Sequence, residues 1–217
     1  MKMNKKMSES SRRWLTRQQK DPYVKKAADE GYRSRAAYKL IEIDDKFHLI
    51  KSAKCIVDIG AAPGGWSQVL AQRSSAETKI AAIDLLKISP IDEKVRIFRG
   101  DFEDEQLQQQ IIAYLDSLAD LIVSDMAPAT IGHRQSDHLR IMGLVESAYY
   151  FAQHFLKKGG CFISKIFQGG EEKVFFDLIK SQFETARFFK PKSSRTESVE
   201  IYVIAIGYKK QGDISNA

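Results

Sequence analysis

A lysine interrupts an otherwise apolar run in Cys161-Phe162-Ile163-Ser164-Lys165-Ile166-Phe167. Burying an ammonium is costly unless it is paired or deprotonated, so Lys165 is a candidate proton acceptor. Asp125, in Ser124-Asp125-Met126-Ala127-Pro128, is a candidate partner for it. Lys39 lies among apolar residues at helical spacing, and Glu200 opens Glu200-Ile201-Tyr202-Val203. Taken singly, Lys39 and Glu200 each fit a surface position better than a catalytic one. A second set surrounds Val57-Asp58-Ile59-Gly60-Ala61-Ala62-Pro63-Gly64-Gly65-Trp66. Glycines after a buried strand permit a tight turn and close approach of a nucleotide-like ligand to backbone. The spacing is G-x-x-x-G-G, not the G-x-G-x-x-G of dinucleotide sites, and the lysine of a phosphate loop is missing. An adenosyl cofactor without a pyrophosphate is the expected ligand. Asp84, 24 residues after Gly60, stands where an acid in a βαβ unit grips ribose hydroxyls, with helix capping as the alternative. Asp101, in Gly100-Asp101-Phe102, suits an adenine amino group or a helix N-cap. Trp66 reads as core or as a ring or backbone contact to the ligand.

The elements that must position these residues alternate along the chain. The pattern predicts a helix near Ala36 to Phe47, then strands at Lys54 to Asp58, Lys79 to Asp84, Val95 to Arg99, Leu121 to Asp125 and Cys161 to Phe167. Helices are expected from Trp66 to Arg73, Glu103 to Leu118, Asp137 to Leu156 and Glu171 to Phe183, with Gly159-Gly160 closing the third. Ala186 to Lys190 and Val199 to Tyr208 follow as two strands without a helix between them. Strands separated by helices imply an α/β fold with a mainly parallel sheet, helices on both faces and a C-terminal antiparallel hairpin. Ligands bind such sheets at the carboxyl ends of strands, where Asp58, Asp84 and Asp125 fall.

The 217 residues are enough for one substantial core. No apolar run is long enough to span a bilayer, and the charged N-terminus has no hydrophobic block, so a soluble, cytoplasmic protein is expected. Cys55 and Cys161 lack C-x-x-C or histidine partners, which argues against a disulfide framework or zinc site and leaves buried, inert thiols. Residues 1 to 40 hold 12 Lys/Arg and 4 Asp/Glu, while the remaining 177 sum to −2. Lys5, Lys6, Arg12, Arg13, Arg17, Lys20, Lys25, Lys26, Arg33 and Arg35 are interleaved with Trp14, Tyr23 and Tyr32, a mixture suited to phosphate contacts and base stacking. The division read from this is a basic RNA-contacting arm over 1–34, one catalytic domain over 35–210 and a tail over 211–217. A solvated tail and a transit peptide are the alternatives for the arm, the latter weakened by Asp21, Asp29 and Glu30.

Ser11-Arg12-Arg13-Trp14-Leu15, Asp21-Pro22-Tyr23-Val24-Lys25, Ser34-Arg35-Ala36-Ala37-Tyr38-Lys39-Leu40, the Asp58 to Gln68 turn and Ser124 to Pro128 occur in that order. In this series the chain resembles the FtsJ-like ribose 2′-O-methyltransferases, in particular the compact bacterial members that act on large-subunit ribosomal RNA. The resemblance covers nearly the whole chain. It implies a Rossmann-like methyltransferase fold, S-adenosylmethionine as cofactor, and a Lys-Asp-Lys-Glu tetrad falling on Lys39, Asp125, Lys165 and Glu200. It puts cofactor contacts at Gly64, Trp66, Asp84, Asp101 and Asp125, with no metal. Glu197 competes for the glutamate position, but Glu200 directly precedes the Ile-Tyr-Val strand, as the family acid does. Two stretches depart from the family: Ala129 to Gln135, and the acidic Arg195-Thr196-Glu197-Ser198-Val199. The resemblance further implies a monomer that methylates a 23S uridine in the assembled 50S particle. The alternatives are a transfer RNA 2′-O-methyltransferase and a non-catalytic RNA-binding ribosome assembly factor. Base methylation fits less well, since Met126-Ala127-Pro128-Ala129 lacks the aromatic of amino methyltransferases and neither cysteine is placed as a carbon-5 nucleophile.

Overall fold

The computed structural model of the chain describes residues 21–127, 134–169 and 172–209. Residues 1–20 of the arm, 128–133 of the loop after β4 and the tail from 210 lie outside them. Helices α1 (Pro22–Asp29) and α2 (Ala37–Phe47) precede β1 (Cys55–Ile59), α3 (Gly65–Arg73), β2 (Lys79–Asp84) and β3 (Val95–Arg99). Then come α4 (Glu105–Leu115), β4 (Ala119–Ser124), α5 (Arg134–Phe155), β5 (Leu156–Phe167), α6 (Glu172–Gln182), β6 (Phe183–Phe189) and β7 (Glu200–Tyr208). One seven-stranded sheet has the order β3-β2-β1-β4-β5-β7-β6. Strands β1 to β5 pair in parallel, and β7 lies antiparallel between β5 and β6. The expected α/β architecture and C-terminal antiparallel pair are both present.

Side-chain alternation along the strands assigns the two faces. Val57, Ile59, Ile83, Ile122, Phe162 and Val203 share a core with Ile111, Val145 and Ile179 of α4, α5 and α6. Ile56, Ile80, Val123, Ile163 and Ile204 face Leu40 and Ile43 of α2 and Val69 and Leu70 of α3. Asp58, Asp125, Lys165 and Tyr202 continue this second set along their strands, so the polar centre grows from the end of the face that α2 and α3 cover.

Local chemistry fixes several ends. Asp21 caps α1 by accepting from the Tyr23 N–H, with Pro22 in the first turn, and Asp104 caps α4 by accepting from Leu107 N–H. Asp44 accepts from the N–H groups of Leu49 and Ile50 beyond α2 while pairing with Arg73 of α3 at 3.0 Å. The expected glycine stop of α5 is corrected. The helix ends at Phe155, and Gly159-Gly160 lie inside β5, where the pairing with β4 shifts register between Ala119 and Leu121. Gly159 has φ +81°, so the pair shapes a bulge rather than a helix terminus.

The segment 21–34, which charge alone groups with the arm, packs on the body. Arg33 N–H donates to Gln68 Oε1 at 2.8 Å and its guanidinium donates to the carbonyls of Ser89 and Pro90. The Tyr32 hydroxyl donates to Gln72, and that of Tyr38 to Glu30. Among the described residues no helix is long and apolar enough to cross a membrane.

Candidate active site

The turn after β1 requires glycine twice. Gly60 has φ +74° and a Cβ there would lie 2.1 Å from Met126 Cγ. Gly64 has φ +109° and a Cβ there would lie 2.8 Å from Ile91 Cδ1. The chain thereby turns into α3 without a side chain at the strand ends. Asp84 then ties this turn down: Oδ2 accepts from Ala62 N–H and Oδ1 from Leu86 N–H, both at 2.8 Å. Its role is thus not helix capping.

The turn opens onto a cavity of about 690 Å³ at the carboxyl ends of β1 to β4. Gly60, Asp84, Asp101, Phe102, Asp125 and Met126 are among its walls. Leu85 and Leu86, 66% and 67% exposed, stand on its rim. Asp101 accepts from Glu103 N–H, and α4 takes its cap from Asp104, so Asp101 is free of the capping duty considered for it. Gly64 and Trp66 are not on the cavity wall. Trp66 is 3% exposed, its indole N–H donates to the Ala36 carbonyl at 2.8 Å, and its ring packs 5.7 Å from that of Tyr202.

Beside the cavity the four tetrad residues converge. Lys165 Nζ donates to Asp125 Oδ1 at 3.0 Å and to the Asp125 carbonyl at 2.5 Å. Lys39, on α2, pairs with Glu200 Oε1 at 2.6 Å and stands 4.0 Å from Asp125 Oδ1. Both lysines are buried. Glu197 makes no such pair and lines a separate cavity with Arg35 and Arg195. Asp125 alone of the four belongs to the large cavity as well, so it joins the two halves of the site.

One member of this centre escaped the sequence reading. The Tyr202 hydroxyl donates to Asp125 Oδ1 at 2.6 Å, and Tyr202 sits opposite Lys165 in the β5–β7 register. Its signal was the two-residue step from Glu200, which puts both on one face of β7. Asp58, 1% exposed, accepts from the Ser67 hydroxyl at 2.6 Å. Burial pushes its carboxyl up to about 7, against the Ser67 bond and with help from the negative Asp125 and Asp84. Asp125 goes the other way: burial raises it, but Lys165, Lys39 and the Tyr202 hydroxyl outweigh this and hold it below the ordinary carboxylate range. Burial and the neighbouring carboxylates push the Tyr202 phenol well above its usual value. Among the described residues no cluster of side chains could hold a metal ion.

The arrangement thus pairs a nucleotide-sized cavity having acids at strand ends with a fixed amine–carboxylate centre, as a group transfer from an adenosyl donor to a hydroxyl needs. Comparison with known proteins shows the family. A protein from Novosphingobium aromaticivorans called ribosomal RNA large subunit methyltransferase E is 51% identical over 98% of this chain and 95% of its own length. One of the same name from Rickettsia felis is 51% identical over 96% of this chain and 94% of its own length. A putative ribosomal RNA methyltransferase from Plasmodium falciparum superposes with a TM-score of 0.74 at 32% identity, over 83% of this chain and 100% of that one. A putative hemolysin from Streptococcus thermophilus, at 17% identity and TM-score 0.59, covering 84% of this chain and 70% of its own, shares the fold alone. The family profile of FtsJ-like methyltransferases matches residues 32–208, across the glycine turn and all four tetrad positions, and the chain belongs to that family.

Proposed function

We propose that the protein transfers a methyl group from S-adenosylmethionine to the ribose 2′-hydroxyl of a uridine in large-subunit ribosomal RNA, acting as a monomer on the 50S particle. The carrying observation is Lys165, buried at the end of β5 with two bonds to Asp125 beside the cavity. The relatives' names point to the large-subunit RNA.

The cavity fits the cofactor in volume and in donors. Asp84 would hold the ribose hydroxyls, Asp101 the adenine amino group, and Leu85, Leu86 and Phe102 the apolar faces of the base. Gly64 and Trp66 would contribute backbone, since the Trp66 ring is committed to the core. When bound, S-adenosylmethionine supplies an electrophilic methyl group whose leaving group is a neutral thioether.

The chain's own residues handle the oxygen and its proton. A ribose hydroxyl is a weak nucleophile until its proton leaves, and an amine takes a proton through its lone pair. Of the three tetrahedral positions on Lys165 Nζ, two face Asp125, which leaves one for the substrate hydroxyl. Lys165 takes the proton as the oxygen attacks, and Asp125 holds the ammonium that results. Glu200 fixes Lys39, which steadies the ribose or phosphate oxygen. Positioning supplies most of the acceleration, and the base about 10²- to 10⁴-fold.

Large subunits, small subunits and transfer RNA are incubated with labelled cofactor and the product nucleosides resolved by mass spectrometry. A 2′-O-methyluridine from large-subunit RNA is the expected product. Lys165→Ala should lose at least 10²-fold in transfer while binding the cofactor in calorimetry as the parent does. Transfer to none of the three RNAs, despite cofactor binding, would replace the enzyme reading with an assembly factor.

A further inference from the structure

On the far side of Glu200 a second cavity, of about 500 Å³, opens between Asp21, Tyr23 and Arg35 and the loop carrying Lys192, Ser193 and Arg195. The Arg35 and Arg195 guanidiniums both pair with the single carboxylate oxygen Asp21 Oδ2, Arg195 Nε at 3.1 Å. With the exposed ammonium of Lys192, the wall holds three cations against the carboxylates of Asp21 and Glu197. Burial first, then the facing charge of Arg195, push the Arg35 guanidinium below its ordinary value, against the opposing pull of Glu200 and Glu197.

Ser193 gives the second, independent sign. It is 1% exposed, and its hydroxyl is a buried polar group without a hydrogen-bond partner. Such a group costs folding free energy, and an alanine would fill the same space without it. The loop around it is held rigid: Glu42 accepts from Lys192 N–H at 2.5 Å and Ser193 N–H at 2.8 Å, and Arg35 donates to the Ser193 carbonyl. The next residue reaches the reaction centre, because the Ser194 hydroxyl donates to Glu200 Oε1 at 3.0 Å. Glu200 in turn pairs with Lys39 at 2.6 Å.

We propose that this cavity is a phosphate subsite, taking the backbone phosphate of a nucleotide adjoining the target ribose, with the Ser193 hydroxyl, Lys192 and Arg195 as its ligands. The subsite rests on the reading of the protein as an RNA ribose methyltransferase. Bound there, a phosphate fixes the register of the strand one side chain from Lys39, and the hydroxyl gains the acceptor it lacks.

The test measures Ser193→Ala and Lys192→Ala against the parent chain. Binding of a fluorescein-labelled single-stranded oligoribonucleotide is followed across a potassium chloride series, and transfer to large subunits is followed with labelled cofactor. Each variant should weaken oligonucleotide binding and raise KM for the large subunit about three- to tenfold, with kcat and cofactor affinity unchanged. Lys192→Ala should also lower the slope of log affinity against log salt by about 0.7 to 1. Ser193→Ala should keep or raise Tm, the reverse of what removing a structural hydrogen bond does. Parental oligonucleotide affinity and salt slope in both variants would overturn the subsite while leaving the methyltransferase reading intact. Weakened oligonucleotide binding in a protein that methylates no RNA would retain the subsite and overturn the reaction.

Discussion

Asp125 accepts from Lys165 and Tyr202 on one oxygen, faces Lys39 and forms part of the large cavity wall. Tyr202→Phe keeps the ring beneath Trp66 and removes only the hydroxyl donor. It should lower the single-turnover rate about tenfold and leave cofactor affinity unchanged, since the carboxylate keeps Lys165 but loses part of its alignment. Asp58 has its own signature. Its folded carboxyl titrates at about 7 against 3.8 ordinarily, so between those values the folded state holds a proton that the unfolded chain has lost. Stability from this group is therefore complete below about pH 4 and is lost as pH rises through 7. Relative to Asp58→Asn, the parent should be about 2–3 kcal/mol better off at pH 5 than at pH 8 in urea unfolding; a pH-independent difference would place the carboxyl's titration elsewhere. The acids and lysines of the site were legible in the sequence because a charge inside an apolar run is costly and stands out. Tyr202 and Ser193 were not, because an aromatic in a strand reads as core and a serine in a loop reads as solvent.

At the scale of elements, β5 and β6 begin at Leu156 and Phe183, well before their expected starts at Cys161 and Ala186, but the other strands were legible to within a residue or two, since runs such as Lys79 to Asp84 and Val95 to Arg99 match the observed β2 and β3. Helix ends were less so. Glu103 to Leu118 shrinks to α4 at Glu105–Leu115 because Asp104, not Asp101, supplies the cap. Gly159-Gly160 misled because glycine serves both a helix stop and a strand bulge, and only pairing with β4 decides between them. Gly60, in the turn between β1 and α3, can be compared with Gly31, just beyond α1, at nearly equal φ. Gly60 and Gly31, at +74° and +76°, share the backbone strain, but a Cβ at Gly31 meets nothing within 4 Å whereas one at Gly60 collides with Met126. Gly31→Ala should therefore cost only the conformational strain, about 1 kcal/mol, and leave cofactor binding alone. Gly60→Ala should cost more in chemical unfolding and weaken cofactor binding at least tenfold, because Met126 must move at the cavity wall. Equal effects of the two would mean that the turn's conformation, not its proximity to the cavity, accounts for the glycine.

Over the whole molecule the charge is more segregated than the first forty residues indicate. Residues 1–20 hold seven Lys/Arg and one Asp/Glu, so the remaining 197 residues carry 27 of each sign and are neutral. A neutral body meets a polyanion through local surplus, such as the three cations around Ser193, and any long-range attraction must come from the first twenty residues. Asp21, the first described residue, both caps α1 and pairs with Arg35 and Arg195 through its carboxylate. The right deletion thus stops at residue 20. Removing 1–20 should leave Tm and cofactor affinity within error of the parent, yet weaken binding to large subunits at least tenfold and flatten its salt dependence by several units of slope. Removing 1–30 takes away Asp21 and α1 together, so two guanidiniums lose their carboxylate and the loop next to Glu200 loses a support. That longer deletion should also lower kcat on saturating large subunits, a loss that salt cannot reproduce in the shorter one. Unchanged large-subunit affinity and salt slope after removal of 1–20 would shift RNA binding to the body alone, and the phosphate subsite beside Glu200 would then have to carry most of it.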